Sequence, residues 1–258
     1  MKLFFKFSAS LMVGALTIIG ASTPVTALPQ DILKATVVDT VGSVRQMPAA
    51  GGHWLTINVG DTLSPQTTLQ TGESSAALLQ LNGDHMMRIG AGTRIVLKQL
   101  GDQKAFSFNL IAGRVWSFVK RASSPAKYEI ETPSAVVGVS GTVFSVFHDP
   151  GSNQTDVTTS HGSVGVRQGD AAQVNVTDGN SLVATAAGLG QVIRQSPKIR
   201  QMWNVLNRTE SWVHGSATSK LNRAVERAMP AYRSAIHRGN QNVRGDRGPG
   251  EKRKRIQP

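Results

Sequence analysis

The chain has 258 residues, 40% of them apolar, enough to bury the core of one large domain and leave an accessory segment over. It contains no cysteine, which excludes disulfide staples, thiolate metal sites, a thiol nucleophile and an acylated lipoprotein cysteine. The formal charge is +12 and the excess is localised: residues 28–189 hold 11 Lys+Arg against 12 Asp+Glu, net −1, whereas residues 190–258 hold 15 against 4, net +11. A polyanionic partner is therefore to be sought through the C-terminal region.

Residues 1–27 read in the order of a secretory signal peptide. Lys2 and Lys6 precede an uncharged apolar run from Phe7 to Gly20, and small residues lead to Ala27. Cleavage is expected after Ala27, leaving a mature chain from Leu28 that is periplasmic or associated with the cell envelope. The alternative is an uncleaved anchor, but the apolar run is shorter than the ~20 residues needed to cross a bilayer, and no later stretch could span one.

From Ala35 onward the signals are those of strands. Ala35–Gln46 reads as two strands meeting at Gly42, Gly60-Asp61 and Thr71-Gly72-Glu73 mark turns, and Ala77, Leu79 and Leu81 alternate up to an Asn82-Gly83-Asp84 hairpin turn. Met87 and Ile89 return from it, Gly90-Ala91-Gly92 turns again, and Arg94–Leu100, Ala105–Leu110 and Gly113–Lys120 follow as strands. Tyr128–Phe147 is too rich in β-branched and aromatic residues for a helix and contains Pro133, so it predicts two short strands with a kink between them. After a polar loop over Asp149–Asp156, strands are expected at Val157–Thr159, Ser163–Val166 and Val174–Val176, closing near Leu189. Turn signals at such short intervals, with no helical period before residue 195, argue an all-β sandwich, roll or solenoid.

Thr132, Pro133, Ala135, Gly138, Val139, Gly141, Thr142 and Phe144 together resemble the signature of the FecR family, the periplasmic domain of regulators of iron-citrate uptake and related cell-surface signalling. Ser140 stands where that signature most often has a basic residue. Gly60-Asp61-x-Leu63, Leu69-x-Thr71-Gly72, Leu81-x-Gly83, Ile89-Gly90 and Leu110-x-x-Gly113-x-Val115 extend the resemblance from about Ala35 to Gly169. It implies a twisted β-helix-like or sandwich-like domain in which the signature residues are structural. No cytoplasmic anti-sigma segment ahead of a membrane span is seen, so a stand-alone exported form is expected.

Beyond Pro197 the period becomes helical. Ile199, Met202, Trp203, Leu206 and Val213, then Leu221, Val225, Ala228, Met229, Tyr232 and Ile236, predict two basic amphipathic helices broken at His214-Gly215-Ser216. The glycine- and proline-rich stretch from Gly239 with Lys252-Arg253-Lys254-Arg255 predicts disorder. The expected organisation is thus a signal peptide over 1–27, a FecR-like β domain over 28–189, a basic amphipathic helical segment over 190–238 and a disordered basic tail over 239–258.

Several side chains invite chemistry, and each has a plainer reading. Ser140 lacks the second glycine and following helix of a nucleophile elbow. His148, Asp149, Asp156 and His161 flank an oxygen-rich loop without a recognised metal-ligand spacing. Glu129 and Glu131 share a strand face that is expected to be the solvated one. The basic region exceeds its plain reading: Arg194, Lys198, Arg200, Arg208 and Lys252–Arg255 are candidate contacts to an anionic surface, unless the apolar helix stripes dock on the β domain or on each other. No cofactor, metal, catalytic residue or nucleic-acid partner is expected. The sequence thus reads as a non-enzymatic exported binding module, a sensor or regulator with an envelope protein partner. The alternative is a structural scaffold held on peptidoglycan or lipopolysaccharide by its basic tail.

Overall fold

The computed structural model describes residues 34–82, 85–100, 105–121 and 127–208. The expected signal peptide, the Gly83-Asp84 part of the hairpin turn, the second basic helix and the tail lie outside the described residues. The strands form one hydrogen-bonded network folded double, so that two sheets face each other across a common apolar core.

The chain shuttles between the sheets. In sheet A lie β1 (Ala35–Val41), β4 (Thr62–Leu63), β6 (Ala76–Leu81), β7 (His85–Ile89), β12 (Val143–Asp149), β13 (Gln154–His161), β16 (Asn180–Thr185), β17 (Gly188–Leu189) and β18 (Ile193–Arg194). In sheet B lie β2 (Val44–Met47), β3 (Leu55–Thr56), β5 (Thr67–Thr71), β8 (Arg94–Leu100), β10 (Lys127–Thr132), β11 (Ala135–Val139), β14 (Ser163–Arg167) and β15 (Val174–Thr177). One strand, β9 (Ala105–Phe118), belongs to both. Its first half pairs with β8 and, in parallel, with β10; its second half pairs antiparallel with β7 and β12. All other pairings are antiparallel.

The core follows from period-2 burial on each strand. Leu79, Met87, Ile89, Val115, Phe144, Val146, Val157 and Leu182 point inward from sheet A, and Leu69, Ile95, Leu97, Phe106, Phe108, Leu110, Ile130, Val137 and Val166 from sheet B. Tyr128 ties the two layers: its ring packs on Phe108 and Phe144, and its hydroxyl donates to Ser117 Oγ in the opposite sheet at 2.9 Å. Burial pushes this phenol well above its ordinary pKa despite the bond to Ser117. It stays a neutral donor.

Three expectations are corrected by this arrangement. The stretch 105–120 is not two strands but the continuous β9, which bends at Gly113 with φ of 89°. Inward positions change there from even numbers (Phe106, Phe108, Leu110) to odd ones (Val115, Ser117), because Ile111 bulges out of the ladder between Leu110 and Ala112. The stretch 128–147 forms three strands rather than two. Pro133-Ser134 closes the β10–β11 hairpin, and Ser140-Gly141-Thr142 carries the chain from sheet B to sheet A. The sheet also continues past the expected end at Leu189, through β18 at Ile193–Arg194.

Glycine is required where the sheets exchange strands. A Cβ on Gly141, whose φ is 86°, would lie 2.8 Å from the Arg121 Cα, whereas a Cβ on Gly138, in mid-strand, would meet nothing within 4 Å. Gly141→Ala should therefore lower the unfolding free energy by about 1–3 kcal/mol, since both strain and backbone overlap oppose it, while Gly138→Ala should be neutral or raise it by up to about 1 kcal/mol. Urea denaturation of the two variants side by side measures the contrast; equal losses would show that the corner is not what demands glycine.

Candidate functional site

The signature residues converge on the hairpin and corner just described. Thr132 Oγ1 closes the β10–β11 turn by accepting from the Ala135 amide at 2.9 Å and donating to the Ala135 carbonyl at 3.0 Å. Ala135, Val139 and Phe144 enter the core, and the Thr142 carbonyl accepts the Val119 amide at 2.9 Å. Ser140 is exposed on the corner, and among the described residues no hydrogen bond joins it to a histidine or carboxylate.

A second device is repeated along one edge of the sandwich. Thr71 Oγ1 donates to the Gly90 carbonyl at 2.6 Å and accepts the Thr93 amide at 2.9 Å. Thr93 Oγ1 then donates to the Arg114 carbonyl at 3.2 Å and accepts the Arg114 amide at 3.0 Å. Each buried hydroxyl thus bolts one corner to the next. This internal repeat was legible as Thr71 and Thr93 beside Gly72 and Gly92, but the strand pattern around it drew no attention to the hydroxyls.

At the far end of sheet A a cavity of about 370 Å³ is lined by Gly113, Phe147, His148, Asp149, Gln154 and Asp156, among others. Asp149 accepts from the Gly151 amide and the Ser152 hydroxyl, and Asp156 Oδ1 accepts from Gln154 Nε2 at 2.9 Å. His148 is 1% exposed, with Nδ1 3.0 Å from Thr155 Oγ1, whose oxygen also meets Thr132 and Ser134. The Thr155 hydroxyl is fully buried, so this His–Thr pair braces the end of the core at the floor of the cavity. His161 ends β13, roughly 20 Å along the strand from Thr155, and faces Asp178 at 3.5 Å instead. Among the described residues no group of three or more His, Asp or Glu converges as metal ligands.

Glu129 and Glu131 do point to one face, but it is not simply the wet one. Glu129 is buried at 7% exposure beneath Arg167 (3.4 Å) and Lys127 (3.2 Å), and both Glu131 oxygens take Lys98 Nζ at 2.8 and 3.0 Å. Lys127 stands two residues before Glu129 on β10, whereas Arg167 reaches this face from β14 through the antiparallel β10–β11 and β11–β14 pairings, a neighbour that a single strand cannot announce.

The basic region is described as far as one helix, α1 (Pro197–Arg208). Ser196 caps it, its hydroxyl accepting the Ile199 amide at 3.4 Å, and Pro197 starts its first turn. Gln195, 3% exposed, moors it to sheet A by donating to the Thr159 carbonyl at 2.8 Å and the Asn180 carbonyl at 2.9 Å. The apolar stripe Ile199, Met202, Trp203 and Leu206 packs on Trp116 and Val143 on the outer face of sheet A. That stripe is consumed by the fold, so it is not free to enter a lipid surface. Arg194, Lys198 and Arg200 remain exposed beside it, with Arg200 donating to the Gln195 carbonyl at 2.6 Å. The Arg208 side chain and Lys252–Arg255 lie outside the described residues.

Two measurements check this geometry. Trp203→Ala should cost about 3 kcal/mol by emptying the α1–Trp116 contact, against less than about 0.5 kcal/mol for Asn204→Ala on the exposed side, both read from urea midpoints. Burial holds the His148 imidazole below its usual pKa, outweighing the opposing pull of Asp149 and of the backbone at Gln154. The unfolded chain then binds the proton more readily than the folded one. Stability should be complete above the ordinary histidine pKa of about 6.5 and decline as pH falls below it. His148→Gln should flatten that decline between pH 7 and 5 in denaturation series.

Residues 67–165 match the family model described as FecR protein, bearing out the resemblance over a shorter stretch than Ala35–Gly169. The match runs from the start of β5 into β14 and so includes both threonine bolts, the β9 crossing and the signature corner. Two crystal structures of a protein from Parabacteroides distasonis, provisionally named an anti-sigma factor, are similar at 14% identity with a TM-score of 0.47. The similarity covers 53% of this chain and 64% or 63% of the other, so the chain spans less than two thirds of that protein's length. No curated protein sequence matches the chain.

Proposed function

With a FecR match across the sheet-crossing part of the domain as premise, we propose that the chain is an exported, non-enzymatic binding module of the cell envelope, serving regulatory signalling by holding a protein or ligand on its β domain. The observation that carries the reading is where the matched residues go. From β5 to β14 they build corners, bolts and core. Within this stretch Thr155 is buried, Glu129 is paired with Arg167 and Lys127, and His148 is braced against Thr155. A rigid double sheet of this kind offers surfaces rather than a reaction centre. No helix among the described residues is long and apolar enough to cross a membrane.

A scaffold bound to peptidoglycan or lipopolysaccharide is the second reading, favoured by the net +11 over residues 190–258. Because the apolar face of α1 is spent on Trp116, such attachment would be electrostatic, through Arg194, Lys198, Arg200 and the residues beyond, and would weaken steeply with salt.

The test compares the chain from Leu28 to Pro258 with a truncation after Arg208, which keeps β18 and α1 in place. Both are cross-linked in the intact envelope and co-sedimented with sacculi and anionic vesicles over a salt series. Recovery of the same partner protein by both chains supports the regulatory module. Pelleting by the full chain alone, with no partner recovered, replaces it with the scaffold.

A further inference from the structure

On the outer face of sheet B, where Arg94 pairs across the strands with Ala112 on the rim of the cavity, Arg45 of β2, Gln70 of β5 and Arg94 of β8 lie side by side in register. Trp54, in the segment entering β3, sits between the two arginines. The guanidinium carbons of Arg45 and Arg94 lie 5.7 and 5.9 Å from the centre of its ring. Both arginines are exposed, and among the described residues neither faces a carboxylate within ion-pair distance. The contrast on the same face is plain: Lys98, Lys127 and Arg167 are all matched to Glu131 or Glu129.

A cation–π contact with an indole restrains a guanidinium while leaving its in-plane N–H donors free, so the fork is partly ordered before anything binds it. Two such forks on one tryptophan, in a domain that is otherwise close to neutral, make a local positive site with an aromatic centre. Trp and Arg are the residue types that concentrate binding energy in protein interfaces. An extended segment laid across the strands presents alternate side chains about 7 Å apart on one face, a spacing that lets two carboxylates address both forks.

From this geometry we infer that Arg45, Trp54 and Arg94 form the docking surface for an acidic, extended segment of a protein partner. The inference deepens the proposed regulatory role and rests on it for the existence of a protein partner, but the surface can be tested by itself. The site takes carboxylates in bidentate pairs, with Gln70 between the arginines to hydrogen-bond the segment's backbone.

The probe is a short synthetic peptide of alternating glutamate and threonine, titrated into the full mature chain by calorimetry. Because the net +11 of residues 190–258 would attract any acidic peptide, four full-length proteins are compared: the parent, Arg45→Gln/Arg94→Gln, Arg45→Lys/Arg94→Lys, and Arg194→Gln/Lys198→Gln, which removes the same charge elsewhere. The expected result is an affinity loss of about tenfold or more for the first pair and under about threefold for the control pair, with Arg45→Lys/Arg94→Lys recovering only part of the loss. Equal losses in both pairs would reduce the site to general electrostatics and overturn the inference. Anionic vesicles or inorganic phosphate competing as well as the peptide would overturn it in favour of a simple anion site. Failure to recover any partner from the envelope, with the peptide result intact, would sink the regulatory reading and not the surface.

Discussion

The fold depends on the chain's repeated passage from one sheet to the other, and the narrowest of those passages is the bend of β9 at Gly113. A Cβ there would lie 2.5 Å from the Thr93 Cα, and the backbone has φ of 89°, so no other residue fits. The bend lets one strand serve as the central pairing partner in both layers. Sheet B receives β8 and β10 on its first half, sheet A receives β7 and β12 on its second. The threonine bolts at 71 and 93 act on the same edge, satisfying backbone groups that the corners take out of the ladders. A buried hydroxyl in such a place is worth more than its own bond, because removing it orphans two backbone partners.

Once both layers are locked through β9, the inner faces are committed to apolar packing and any binding must be done by the outer faces or the rims. The two outer faces are used differently. That of sheet A receives α1 on Trp116, moored by Gln195. That of sheet B is polar. Its far half neutralises itself through the Glu129 and Glu131 pairs, while its near half holds Arg45 and Arg94 in cation–π contact with Trp54 and, among the described residues, with no carboxylate at ion-pair distance. Exposed pairs such as Lys98–Glu131 add little stability, so the asymmetry is better understood as shaping the surface field than as holding the fold.

The C-terminal basicity changes meaning once α1 is placed. As a sequence, Ile199, Met202, Trp203 and Leu206 among Arg and Lys read equally well as a stripe for a lipid surface or for a protein core. In the structure the stripe is buried against sheet A, and what α1 shows to solvent is Lys198, Arg200, Gln201 and Asn204. A charged, hydrophilic surface of that kind attracts anions from solution without inserting into an apolar phase.

The sequence by itself determined the all-β class, the strand-and-turn rhythm from Ala35, the family resemblance carried by Thr132–Phe144 and the separation of a neutral region from a basic one. These are local properties: period-2 alternation, turn residues and composition are written in neighbouring positions. Only the tertiary structure decided that 105–118 is one strand in two sheets, since a glycine with positive φ looks like a turn until both halves are seen to stay paired. It decided likewise that Glu129 is covered and Trp203 buried, and that Arg45 and Arg94 meet at Trp54. Each of those outcomes brings together residues that are distant in the chain, and the energy that selects among partners is that of packing and pairing across strands, which no single stretch contains.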